Sequence, residues 1–210
     1  MSDTATILLF GGTFDPPTRA HAMLPPRAAE LVGASQLLYV PAAISPHKLD
    51  QVPTPAEHRV AMLELALTEV PSVQIRTLEL DREGPSYSVD TVHALRKEFD
   101  HGTTLRLLIG DDQAEAFHRW KDWSTILDLA DPLVLPRGYD SPATFADAMR
   151  NCGGQWSEDE IDQWLQRRLD LPCMTMCSWD VRLQLESGGE ADDELDPDVR
   201  QYIRDKGLYR

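Results

Sequence analysis

The chain has 210 residues, is 42% hydrophobic and carries a formal net charge of −15. That length and apolar content suit one domain of ordinary size, or one domain with a small appendage. The acidity excludes a general nucleic-acid binder, which would show a basic surface, and no run of about 18 apolar residues offers a membrane span. Met1-Ser2-Asp3-Thr4 lacks the basic start of a signal peptide, so a cytoplasmic location is expected. Cys152, Cys173 and Cys177 are odd in number and read as free thiols in a reducing compartment, since no second Cys or His pair lies near to complete a metal site.

The first apolar run, residues 5–10, predicts a buried strand. Gly11-Gly12 follows at its tip, where missing side chains let backbone N–H groups approach a ligand. A helix is predicted over 21–33, with Pro25-Pro26 in its first turn or breaking it, and Gly33 as its stop. Residues 36–40 predict a second strand and 41–55 a polar loop carrying His47 and Lys48. Over 55–70, Val60, Leu63, Leu67 and Val70 share one helical face. Alternation over 73–80 predicts a third strand. A helix over 88–99 follows the turn at Gly84-Pro85, and 104–109 predicts a fourth strand ending at Gly110-Asp111-Asp112. Helical segments over 113–130 and a short strand over 132–135 follow.

Beyond residue 138 the pattern weakens. Helices are predicted over 141–150 and 157–169, a last strand over 172–177 and a helix over 178–187. Residues 190–198 read as an acidic solvated linker before an amphipathic helix with Val199, Tyr202 and Ile203 on one side. Strands alternating with helices predict an α/β fold: a doubly wound parallel sheet with helices on both faces. Ligands of such sheets sit beyond the carboxyl ends of the strands, which brings together the loops 11–21, 41–55, 81–88 and 110–123. The expected division is an α/β unit over 1–190, with 191–210 as a linker and helix packed on it.

The opening turn Gly11-Gly12-Thr13-Phe14-Asp15-Pro16-Pro17-Thr18-Arg19-Ala20-His21 follows a strand and enters a helix, an arrangement that holds phosphate on helix N–H groups. It lacks both the G-x-G-x-x-G order and the Walker Gly-Lys-Thr/Ser. It does resemble the signature of the nucleotidyltransferase superfamily with the HxGH or TxGH motif, with Ala20 in place of the usual Gly. Further stretches resemble one branch, the nicotinate-nucleotide adenylyltransferases. They are Pro46-His47-Lys48, Arg59 to Ala66 with Met62-Leu63, Ser86-Tyr87-Ser88-Val89-Asp90-Thr91, Gly110-Asp111-Asp112 with Phe117, Trp120 and Trp123, Leu135-Pro136-Arg137-Gly138, and the tail Val199-Arg200-Gln201-Tyr202-Ile203.

The resemblance implies a Rossmann-like fold and adenylyl transfer from ATP to nicotinate mononucleotide, giving deamido-NAD and pyrophosphate in NAD biosynthesis. His21 would hydrogen-bond the α-phosphate, with Thr18 supplying a neutral hydroxyl and Lys48 a phosphate-binding cation; an isolated His would instead read as a capping or buried residue. Gly11, Gly12, Thr13, Phe14, Ser178 and Arg182 would bind ATP. Lys48, Arg59, Ser86, Tyr87, Asp112, Trp120 and Arg137 would bind the acceptor. Trp120 would stack on the pyridine ring, and the turn before the helix at Ser88 would hold the nicotinate carboxylate. Arg59 reads equally as the partner of a helix carboxylate, and Trp123 as core. Mg²⁺ would ride on the triphosphate rather than in a protein cage.

Met176-Cys177-Ser178-Trp179-Asp180-Val181-Arg182 resembles the branch's I-S-S-T-x-I/V-R, with Cys177 and Trp179 replacing two hydroxyl donors. Ala20 adds a methyl where Gly would let the adenosine approach. Two other readings therefore stand beside the first. One is a nucleotidyltransferase with another acceptor, such as pantetheine phosphate, whose branch uses TxGH. The other is a degenerate nucleotide-binding protein with little turnover. No nucleic-acid or membrane partner is expected, and a homo-oligomer is left open.

Overall fold

A computed structural model describes residues 5–46, 52–100, 102–154 and 156–210. Five strands, β1 (Thr6–Gly12), β2 (Gln36–Pro41), β3 (Val73–Ile75), β4 (Thr104–Gly110) and β5 (Pro132–Leu135), form one sheet in the order β3-β2-β1-β4-β5. All pairings are parallel, with Phe10 opposite Tyr39 and Leu108. The central strands are covered on both faces, hence their unbroken apolar runs. Ile7, Leu9, Leu38, Val40 and Leu107 face one layer, and Leu8, Phe10, Leu37, Tyr39 and Leu108 the other.

The first layer is built from α3 (Ser88–Glu98), α5 (Trp123–Leu129), α6 (Pro142–Asn151) and α7 (Glu158–Arg167), with Trp164 its largest buried side chain. The second is α1 (Arg19–Leu31) with α2 (Ala56–Ala66). A short α4 (Asp111–Glu115) leaves β4 directly. Outside α2, a third cluster joins Met62 to Val181 of α8 (Ser178–Glu186) and to Val199 and Ile203 of α9 (Pro197–Lys206). The chain winds outward from β1 through β3 and returns at β4. The sheet therefore reverses direction between β1 and β4, and their carboxyl ends open the crevice where such folds bind ligands.

Several boundaries differ from the sequence expectations. α1 starts at Arg19, so His21 lies inside its first turn, and it runs on through both Pro25 and Pro26. α2 stops at Ala66, leaving Val70 beyond the turn that follows it, and β3 ends at Ile75. The 113–130 stretch is broken into α4, a 3-10 turn (Phe117–Arg119) and α5, with Asp122 at φ +48 between them.

Residues 172–177 form no strand. Pro172 has no amide to give a ladder, and the segment touches the end of β5 through Met174 N to Pro136 O (3.3 Å). Nor is 190–198 a solvated linker. Its acidic side chains turn outward while Ala191 and Leu195 are fully buried against α8 and α9. Arg19 ties the segment down, its backbone N–H donating to Glu194 O (2.7 Å) and its Nε to Leu195 O (3.1 Å).

Candidate active site

At the carboxyl ends of β1 and β4 lies a cavity of about 460 Å³. All four expected loops reach it: 11–15 with His21, 42–46 with 52–54, Ser86 with Ser88, and Gly110 with Gln113 and Trp120. Cys177, Ser178, Trp179 and Arg182 close another side. Three helices, α1, α3 and α8, present their first turns to this space, so unpaired N–H groups and positive helix ends converge on it despite the acidic chain. Arg137 and Arg182 add full positive charge.

The turn after β1 is tightly determined. Phe14 sits at φ +52, a strained conformation for a bulky residue, and is buried. Its ring lies over Gly12, where a Cβ would meet it at 2.9 Å. Asp15 is the hub of this turn. Its carboxylate accepts from Thr54 N (3.2 Å) and from the Tyr209 hydroxyl (2.6 Å), and its carbonyl accepts from Arg182 Nη1.

His21 lies on the cavity wall. Its Nδ1 accepts from Thr18 N (3.0 Å) and faces Thr18 Oγ1 (2.8 Å). A backbone N–H can only donate, so Nδ1 is unprotonated and the ring proton sits on Nε2. Burial, helped by the charge of Arg137, pushes the imidazole pKa down to about 3. The ring is therefore a neutral N–H donor across the physiological range.

Thr18 is 1% exposed and its hydroxyl is engaged with His21, so it orients that ring instead of reaching the cavity as an independent donor. Ala20 is also turned inward: its methyl packs in the α1–sheet core rather than against the cavity. Arg59, 2% exposed, does not line the cavity. Nε donates to Thr54 O (2.8 Å) and Nη1 to Thr13 O (2.7 Å), bracing two loops from behind. Neither the phosphate nor the helix-carboxylate reading describes those bonds. Burial lowers its pKa, while Asp15 and Tyr209 act the other way.

Ser86, Trp120 and Arg137 line the cavity; Tyr87 and Asp112 stand behind that wall. The Ser86 hydroxyl accepts from Ala43 N (2.9 Å), joining two loops. The Tyr87 ring faces Lys121, with Nζ 4.6 Å from its centroid. Asp112 Oδ2 accepts from Gln113 Nε2 (3.2 Å), and Oδ1 is buried with no hydrogen-bond partner among the described residues. Trp120 packs against Phe117 with ring centroids 4.9 Å apart, whereas Trp123 leans on Trp156 away from the cavity. Ser178 Oγ donates to Pro16 O (2.8 Å). Trp179 is 46% exposed at the cavity rim, its ring 5.3 Å from the Arg182 guanidinium carbon. Lys48 lies outside the described residues.

Three contributors escaped sequence reasoning. Asp111 is wholly buried and accepts from Gly138 N (2.7 Å), Arg137 N (3.1 Å) and Tyr139 N (3.3 Å), holding the Arg137 loop at the cavity. Glu79 is a buried carboxylate on the cavity wall. Desolvation raises its pKa against hydrogen bonding from Thr91 and the charge of Arg82. Tyr209 reaches Asp15 from 194 positions away. Nothing local marks Glu79, which stands between Leu78 and Leu80 in a stretch that also carries Arg76, Asp81, Arg82 and Glu83, and nothing in the sequence signals the Tyr209 contact. Among the described residues no group of three or more His, Cys, Asp or Glu could hold a metal ion, and no helix is long and apolar enough to cross a membrane.

The cytidylyltransferase-like family matches residues 9–153. A Pectobacterium atrosepticum protein named "Probable nicotinate-nucleotide adenylyltransferase" is 33% identical, over 96% of this chain and 97% of its own. A Yersinia pestis protein of the same name is 33% identical, over 100% of this chain and 97% of its own. In fold, the chain is similar to Plasmodium falciparum nicotinic acid mononucleotide adenylyltransferase complexed with NaAD. That likeness has a TM-score of 0.72 at 17% identity and covers 98% of this chain and 97% of that one.

Proposed function

The chain belongs to the cytidylyltransferase-like family and, within it, to the nicotinate-nucleotide adenylyltransferases, and we propose that its cavity performs adenylyl transfer as follows. The substrates are ATP and nicotinate mononucleotide; the products are deamido-NAD and pyrophosphate. A phosphate oxygen of the mononucleotide attacks the α-phosphorus of ATP in line, the bond to the bridging oxygen breaks, and pyrophosphate leaves. Such a transfer asks for positioning and for donors where charge grows.

The observation that carries this reading is the neutral His21 ring, tied at Nδ1 by Thr18, on the wall of a cavity where three helix starts converge. Its Nε2–H is the donor for the α-phosphate oxygen. The amide end of α8 and Arg182 hold the β- and γ-phosphates, and the Gly11–Phe14 turn lies along the nucleotide. Lys48 is assigned to the phosphates from its place in Pro46-His47-Lys48. Arg137 takes the mononucleotide phosphate. Trp120 stacks on the pyridine, and the α3 start at Ser86 and Ser88 receives the nicotinate carboxylate. Mg²⁺ is assigned to the triphosphate of ATP and enters with it.

The test is pyrophosphate release from Mg²⁺-ATP with nicotinate mononucleotide, nicotinamide mononucleotide or pantetheine phosphate as acceptor. The first should be preferred, and His21→Ala should cut its kcat by ~10²–10³-fold with little change in ATP affinity. Near-normal turnover of that variant would remove His21 from the mechanism.

A further inference from the structure

Pro25 stands four residues after His21 inside α1. In a helix the carbonyl of residue i accepts from the amide of residue i+4. Proline has no amide, and its ring crowds that same carbonyl. The His21 carbonyl therefore loses its helical donor in the turn that carries the ring facing the cavity. A buried carbonyl left so is costly.

Another element supplies the missing proton. The Tyr39 hydroxyl, projecting from β2, donates to His21 O at 2.7 Å. Tyr39 is wholly buried. Strand register places it beside Phe10, and its ring packs on Phe10 and Phe14, with centroids 5.5 and 5.8 Å away. Both phenylalanines also flank the His21 ring, at 6.1 and 5.4 Å. Thr18 thus holds the imidazole while Tyr39 holds the backbone that carries it, and Pro25 makes the second bond one between sheet and helix instead of one within the helix.

We propose that Tyr39 is a positioning residue for the transfer step, its hydroxyl replacing the amide that Pro25 removes and fixing the first turn of α1, and with it His21, to the sheet. The functional consequence rests on the His21 role given above. A donor must meet the developing charge closely, and displacement of about 1 Å can cost up to ~10²-fold in rate.

The experiment is a double-mutant cycle on the full chain. Tyr39→Phe removes the hydroxyl alone and should lower kcat about tenfold, with KM for ATP and nicotinate mononucleotide within about twofold. Pro25→Ala restores an amide four residues after His21. In that background, Tyr39→Phe should change kcat by less than about twofold. A merely structural tyrosine would give the same loss in both backgrounds, and that result, or wild-type kcat in Tyr39→Phe alone, overturns the proposal. Ring ¹⁵N shifts of His21 give a readout independent of turnover. Wild type and the double variant should show the Nε2–H tautomer alone, and Tyr39→Phe a tautomer mixture; a single tautomer in all three overturns the positioning role. If wild type itself releases no pyrophosphate, the function assigned to the cavity fails, and the ring shifts still decide whether Tyr39 positions His21.

Discussion

Replacing His21 with asparagine should make the stability of the protein less sensitive to acid. The imidazole has an ordinary pKa of 6.5 in the unfolded chain and is pushed down to about 3 in the folded one, chiefly by burial. Between those values the unfolded chain binds a proton that the folded chain refuses. Folding is therefore unhindered by this group above pH 6.5 and loses stability progressively as the pH falls toward 3. Inside that window each pH unit costs about 1.4 kcal/mol. Lowering the pH from 7 to 5 crosses roughly 1.5 units of it, a loss of about 2 kcal/mol from His21 alone. Asparagine keeps an oxygen that can accept from Thr18 N but has no proton to take up. Urea unfolding of both proteins at pH 7 and pH 5 isolates the difference, since the other titrating groups are common to the two. The wild type should lose about 2 kcal/mol more than the variant. Equal losses would mean that the ring protonates normally in the folded chain, and the reasoning that makes it a neutral donor held by Thr18 would be wrong.

Trp120→Ala should raise KM for nicotinate mononucleotide by an amount worth about 1–3 kcal/mol, leaving KM for ATP nearly unchanged; an unfolded variant by circular dichroism would assign Trp120 to the core. Tyr209→Phe leaves Asp15 Oδ1 without its donor and should cost about 1–3 kcal/mol in urea unfolding; no measurable cost would mean that the tail does not brace the turn after β1. Trp179→Thr with Cys177→Ser restores two hydroxyls at the start of α8 and frees Arg182 from the indole. Calorimetric titration with Mg²⁺-ATP should show about five- to hundredfold tighter binding, whereas unchanged or weaker binding would show a site already shaped around the native pair.

Where structure follows from neighbours along the chain, the sequence alone sufficed. Residues 104–109 and 132–135 are apolar runs bounded by turn residues, and β4 and β5 lie there. Ser141 and Ser157 begin α6 and α7 because each hydroxyl caps an amide three residues on. The alternation of strands and helices determined a parallel sheet, and with it the edge at which the cavity opens. The position of His21 after the Gly-Gly turn was readable for the same reason, since motif and helix start are contiguous.

What a side chain does once it arrives was decided by tertiary structure. Arg59, a cation near a presumed phosphate site, spends its donors on two carbonyls behind the wall because α2 approaches from that side. Residues 190–198 look fit only for water, yet Ala191 and Leu195 are needed to fill the gap between α8 and α9. A pair of prolines that should end a helix is tolerated within α1, where a tyrosine from the next strand meets the carbonyl that Pro25 leaves unpaired. Caps and periodicities span three or four residues and leave a local trace. The partner of a buried donor or acceptor is whichever group the packing of the whole sheet brings within 3 Å, and its distance along the chain, 18 positions for Tyr39 and 194 for Tyr209, carries no local signature.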